Sequence, residues 1–211
     1  EFPKWDFPAY ITPFHFEHSL RNAKFDFHVP SVNADTSEGK AKVDEDALAL
    51  TLKAVKFCKT IPGLENITVD FCAEETGVRE SNRIVGRTAV SAEEYITGHF
   101  YPDSVCYAFY PIDLHVMHGV EKTYFEPERV GKVPFSALIP KESKHVLCAG
   151  RCISSDTNAN SALRVEAVCM ATGQAAGCAA ALAVKEKLSV YDVPYDALCK
   201  ALKELGAIVP E

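Results

Sequence analysis

The spacing of apolar positions changes along this chain of 211 residues. "DEDALALTLKAVKFCKT", Asp44 to Thr60, carries Leu48, Leu52, Val55 and Cys58 at three- and four-residue intervals. That period predicts a helix with one apolar stripe; the acids of its first turn suit its positive end, and Pro62-Gly63 stops it. "KFDFHV", 24–29, alternates and predicts a strand, as do "ITVDFCA", 67–73, and "RIVGRTAV", 83–90. In "SAEEYITG", 91–98, Ser91 is placed to cap, Glu94 to reach back and Gly98 to stop, which predicts a short helix. "SVCYAFYPIDLHVM", 104–117, reads as strand broken at Pro111, and "EKTYFEPERVGKVPFSALIP" as short strands and turns. A last helix is predicted from Pro194 to Leu205, with Pro at its start and Gly206 just past its end.

The least ordinary transition lies between. An apolar strand at 145–149 stops at Gly150, the twelve residues from Gly150 to Ser161 are mostly polar or small, and a helix is predicted from Ala162 to Lys187. Strand-to-helix connections usually run about two to six residues, and long ordered loops tend to carry function. Gly173 and Gly177, four apart on one face with Ala176, Ala180 and Ala181 nearby, each cost a helix about 1 kcal/mol relative to Ala, and such a face admits close backbone approach. With Asn160 or Ser161 as cap, the NH groups of Ala162 to Val165 would form a site for an anion or a carbonyl oxygen. A buried core helix preceded by a simple loop excursion fits the same spacing and stays open. No G-x-G-x-x-G occurs, so a complete dinucleotide site is absent from this sequence.

Composition narrows the function classes. Hydrophobic residues make up 47%, enough for the core of one large domain or two small ones. A formal charge of -7 argues against nucleic acid as the main partner, because phosphate binding needs clustered cations. The eight cysteines contain no C-x-x-C pair and mostly sit in apolar runs, which predicts free thiols in a reducing, cytoplasmic setting. No signal peptide is visible and no run is expected to span a bilayer; the longest candidate, Ala162 to Val184, carries Arg164, Glu166 and Gln174. The chain opens "EFPKWDFPAY" without Met, so either a leader has been removed or this is part of a longer protein.

Three further groups are candidates for chemistry. In "VRESNR", Arg79 and Arg83 would share a face if extended, ready to hold a substrate carboxylate, or to enter a structural network with Glu80. "YPIDLHVMH" offers Tyr110, Asp113, His115 and His118; on a strand Asp113 could orient His115 for proton transfer, or His115 could be purely structural. Asp-x-His-x-x-His matches no standard ligand spacing, and no metal site is expected. Cys148 and Cys152 lack the spacing of redox or cluster motifs and read as ordinary thiols.

"VLCAGRCISSDTNANSALRVEAVCMATGQAAGCAAALA" resembles the C-terminal segment of FAD-dependent oxidoreductases of the fumarate-reductase-like, glutathione-reductase-like group. "GVRESNRIVGRTAVSAEEYITG", "YPIDLH" and, more weakly, "DEDALALTLKAVKFCKTIPGLENI" match in the right order, so the resemblance spans about residues 33–187. It implies an α/β fold with α+β character: residues 1–143 as a substrate-side portion with a mixed or antiparallel sheet, and 144–211 as the C-terminal part of a doubly wound FAD/NAD(P)-binding domain. It also implies FAD as cofactor, a small organic substrate oxidised or reduced by hydride transfer, and a partner segment bearing the Gly-rich FAD fingerprint, without which this chain is inactive. On that reading Gly150, Arg151, Ala162, Leu163, Arg164 and Val165 contact the flavin, and Arg79, Arg83 and His115 are catalytic. Leu163 departs from the small residue usual there and would narrow the approach. The alternative is a non-catalytic binding or assembly module that kept the framework and lost the cofactor; a hydrolytic reading on Asp113 and His115 lacks a nucleophile motif.

Overall fold

The computed structural model describes residues 4–7, 11–29, 33–116 and 119–211. It divides into a first unit, Glu1–Ser81 with His115–Val120, and a second, Asn82–Leu114 with Glu121–Glu211. The expected 143/144 boundary lies inside the second unit. The fold class is α/β, with six α-helices and four short strands among the described residues.

The first unit is organised by α1 (Pro13–Arg21) and α2 (Ser37–Cys58). Thr36 caps α2 by accepting the Gly39 NH at 3.0 Å, so the helix begins before the expected Asp44. Its buried side is Val43, Ala54 and Cys58, whereas Leu48 and Leu52 of the expected stripe are exposed. Aromatic rings select that side: Trp5 and Phe7 meet Phe57 edge-on at 5.4 Å, and Phe16 does so at 5.1 Å. Phe25 and Phe27 pack on Phe16, and the alternation of 24–29 therefore serves a ring cluster; neither it nor 67–73 forms the strand expected.

In the second unit, β1 (Ser104–Ala108) pairs antiparallel with β4 (Gly131–Pro134), with an irregularity between Ser104 and Cys106. β2 (Ile112–Val116) and β3 (Gly119–Thr123), whose residues 115–120 are counted with the first unit, pair in a separate two-stranded sheet. Gly131 lies against the ring of Tyr95, where a β-carbon would collide with it. The segment 83–90 contributes two isolated bridges in place of a strand, Gly86 with Pro140 and, parallel, Val90 with Ser155. Residues 146–149 join no sheet, and Ala149 is extended at φ -134 and ψ 164; the Cys148 NH donates to the Leu138 carbonyl at 2.8 Å. The described residues therefore form no doubly wound parallel sheet.

Among the described residues, four α-helices and a short turn complete this unit's framework of packing. α3 (Ala92–Ile96) has the predicted capping box of Ser91 and Glu94. α4 (Thr157–Leu163) and α5 (Glu166–Glu186) occupy the region expected to be one helix. α6 (Tyr195–Glu204) buries Leu198 and Leu202, and Gly206 at φ 80 ends it. A turn at Phe135–Leu138 buries Phe135, Ala137 and Leu138. α5 packs on β1 and α6 through Val168, Thr172, Ala175, Ala179 and Ala183. Contrary to expectation, α5 is long and apolar enough to cross a membrane by length and composition, with a mean hydropathy of 1.6 in its most apolar window. Its packing against β1 and α6 gives that apolar character a role in the core.

Candidate functional site

The connection from Gly150 to Val165 is ordered by its own residues. Gly150 has φ 78, a left-handed conformation that suits glycine, and its NH donates to Thr172 Oγ1 at 3.0 Å. A short turn, Gly150–Cys152, follows; Ile153 and Ser154 are buried, and the Ser154 NH donates to the Ala137 carbonyl at 3.0 Å. Asp156 then starts α4, accepting the Ala159 NH at 2.7 Å through one oxygen and the Ala92 NH of α3 at 2.7 Å through the other.

The expected helix start at Ala162, with Asn160 or Ser161 as cap, is corrected here. Those three residues belong to the body of α4, and the Arg164 NH donates to the Asn160 carbonyl at 2.9 Å. Asn160 is fully buried and donates through Nδ2 to the Arg151 carbonyl at 3.0 Å, while its Oδ1 has no hydrogen-bond partner among the described residues. Ser161 Oγ accepts the Asp113 NH at 2.9 Å. Ala162 and Leu163 are fully buried, so Leu163 is a core residue and does not narrow an approach from solvent.

α4 ends at Arg164, whose ψ of 0 departs from helix, and Val165 is extended at φ -70 and ψ 151. Arg164 Nη2 donates to the Asp113 carbonyl at 3.4 Å. α5 then starts afresh with Val165 at its cap position and no side-chain cap. The NH groups of its first turn, Glu166 to Val168, are the donors that a helix of this kind leaves outside its own bonding. Glu166 and Ala167 are exposed at that end.

Of the other expected residues, Arg83 reaches this connection: its Nη2 donates to Thr157 Oγ1 at 3.1 Å, and the neighbouring Ile84 NH donates to the Cys152 carbonyl at 2.9 Å. Arg79 is exposed and belongs to the first unit. His115 is on β2 and meets His28, with Nδ1 to Nδ1 at 3.2 Å. Asp113 is buried in the second unit, and Tyr110 is exposed with its carbonyl accepting from the Tyr95 hydroxyl at 2.7 Å. His118 lies outside the described residues. Sequence reasoning missed Asp156 and Thr172; Asp156 followed three residues later by a small residue in "DTNAN" was a usable capping signal, whereas nothing local marks Thr172 as the acceptor for Gly150.

All eight cysteines are free thiols. Burial pushes Cys106 up to about 12. It also raises Cys148, helped by the adjacent Cys152, and raises Cys169, where the Arg151 charge pulls the other way.

The family described as FAD dependent oxidoreductase matches this sequence over residues 4–202. The chain belongs to that family. No curated protein and no solved structure matches the chain. An FAD dependent oxidoreductase is a flavoprotein, and the connection described above suits one part of that cofactor. An uncapped helix end offers backbone donors and partial positive charge to an electron-rich ring edge, and Gly150 gives a turn without a side chain beside it. The pyrophosphate is another matter: the sequence contains no G-x-G-x-x-G to cradle it.

Proposed function

We propose that the chain forms the flavin-edge side of a fumarate-reductase-like FAD dependent oxidoreductase acting on a small organic substrate. Bound flavin supplies the hydride chemistry. Gly150, Arg151, Arg164 and Val165 line its site, and the first-turn NH groups of α5 face the pyrimidine edge, where negative charge gathers on reduction. Ala162 and Leu163 support this arrangement from the core. Arg83, tethered at Thr157, keeps a cation beside the connection. In the first unit, Arg79 is proposed separately as a carboxylate holder and His115 as a proton-transfer residue. The pyrophosphate is held by a glycine-rich unit that this sequence does not supply.

The observation that carries the reading is the start of α5, which has no side-chain cap, directly after the Gly150–Arg164 connection. Titration with FAD and, separately, riboflavin tests it through quenching of flavin fluorescence. The expected result is similar affinity for both, since neither has its phosphates held, with Kd on the order of 1 mM or tighter, about 4 kcal/mol or more. Absence of quenching by riboflavin at concentrations well above that would sink the reading. The lack of a G-x-G-x-x-G favours a second reading, a binding module without turnover; it is distinguished by flavin that binds but is not reduced by any small organic hydride donor.

A further inference from the structure

His28 and His115 are 87 positions apart in the sequence and meet within the first unit, Nδ1 to Nδ1 at 3.2 Å. Their rings are nearly perpendicular, at 84°, with centroids 4.4 Å apart. Each ring is carried by anchored backbone. On one side, Phe25 and Phe27 are half-buried and pack on Phe16, which leaves the alternate positions Asp26 and His28 exposed. On the other, His115 is half-buried on β2, which β3 pairs.

The separation of the two nitrogens selects a coordination geometry. Two ligand nitrogens on a tetrahedral zinc ion, with bonds of about 2.05 Å, stand about 3.3 Å apart. Neighbouring ligands of a square-planar ion with the same bond length stand about 2.9 Å apart. The observed 3.2 Å fits the tetrahedral bite. Nδ1 adjoins Cγ, so turning a ring about its Cβ–Cγ bond re-aims the lone pair while the main chain stays in place. Among the described residues no three His, Cys, Asp or Glu are arranged to hold a metal ion, so two imidazoles are the protein's share of such a site and water supplies the rest. The exposure of His28 leaves that water room.

We propose that His28 and His115 form a zinc site, each ligating through Nδ1, with water in the two remaining tetrahedral positions. The ion takes the place of the proton that bridges the two nitrogens in the metal-free pair. The rings coordinate only when neutral, so acid releases the ion. Zinc joins the segment bearing Phe25 and Phe27 to β2, and it therefore favours the folded first unit over the unfolded chain. The site rests on the histidine pair alone and is independent of the flavin reading. With zinc bound, Nε2 is the nitrogen left to His115 for proton transfer.

Proton–nitrogen spectra of the histidine rings decide it, recorded on the whole chain after EDTA treatment and then through a titration with zinc chloride. His28→Gln and His115→Gln assign the two rings. The Nδ1 resonances of His28 and His115 are expected to shift together and saturate together, and either substitution is expected to weaken zinc binding at the remaining ring about tenfold or more. Urea unfolding of the first unit, read from Trp5 fluorescence, is expected to move to higher urea with zinc and to return with EDTA. Shifts at Nε2, a shift of one ring without the other, or movement of His115 with His118 in place of His28 would overturn the site. So would zinc uptake that leaves the histidines unmoved, the outcome for thiol ligands, or a urea midpoint unchanged at saturating zinc. The spectra and the midpoint of the unsubstituted chain decide these outcomes even if a variant fails to fold.

Discussion

Asp156 accepts the backbone NH of Ala92 at 2.7 Å, so one carboxylate serves the starts of two helices, α3 and α4. Each bond satisfies a donor that the helix cannot satisfy itself. Asp156→Ala removes both and is expected to destabilise the second unit by about 1–2 kcal/mol or more, with Asp156→Asn losing less. Urea denaturation followed by far-UV circular dichroism measures it, and an unchanged midpoint for the Ala variant would refute the double cap.

Val165 occupies a cap position with suitable extended geometry and no capping group. Val165→Thr keeps the branched shape and adds a hydroxyl able to accept the Val168 NH. Stability is expected to rise by about 0.5–1 kcal/mol while flavin affinity falls, because the added cap competes for the same donors. A variant that is both stabler and a stronger flavin binder would contradict the proposed orientation.

Gly150 needs a left-handed backbone, φ 78, while its NH is held by Thr172. Gly150→Ala leaves room for the methyl, whose nearest neighbours are 3.8 Å away on Cys169. The expected loss of about 1–2 kcal/mol is therefore conformational rather than steric. Thermal unfolding of the Ala and Asn variants checks this, since Asn tolerates the conformation better and should lose less.

Gly173 and Gly177 have nothing within 4 Å of an added β-carbon. Replacing either with Ala is expected to stabilise the isolated chain by up to about 1 kcal/mol through helix propensity. Destabilisation by either substitution, read from the urea midpoint, would show that the open space is misassigned.

Asp44 in the first unit is held at about 2, below its ordinary 3.8, first by the Thr76 NH at 2.7 Å and then by Lys40. A depressed carboxyl contributes its stability fully above its unfolded value and loses it as pH falls from about 4 through about 2. Trp5, the single tryptophan, lies in this unit's ring cluster and reports its unfolding. Asp44→Asn is expected to flatten the acid limb of that signal; an unaltered acid limb would assign the dependence to other carboxylates.

The legible parts of this fold were those written in neighbouring residues. Ser91 and Glu94 announced α3, and Pro194 with Gly206 bracketed α6, because capping and termination act within a turn or two. The break between α4 and α5 was not legible, since no Pro or Gly marks Arg164-Val165. The segment's long-range bonds there, Ser161 and Arg164 to Asp113, join positions about fifty residues apart. Leu48 and Leu52 misled for a related reason: their spacing allowed a stripe, and aromatic rings from distant sequence favoured another side of the helix. At the candidate site, Gly150 and Val165 stood out in the sequence, whereas the inward placement of Ala162 and Leu163 depended on where α4 began.

A helix that ran unbroken from Thr157 to Glu186 would present one electropositive mouth, already stoppered by Asp156. By stepping out of register for a residue or two at Arg164-Val165, the chain manufactures a second mouth in mid-segment, at the top of its longest apolar helix in the second unit. Restoring continuity there would abolish a polar feature without removing any polar side chain.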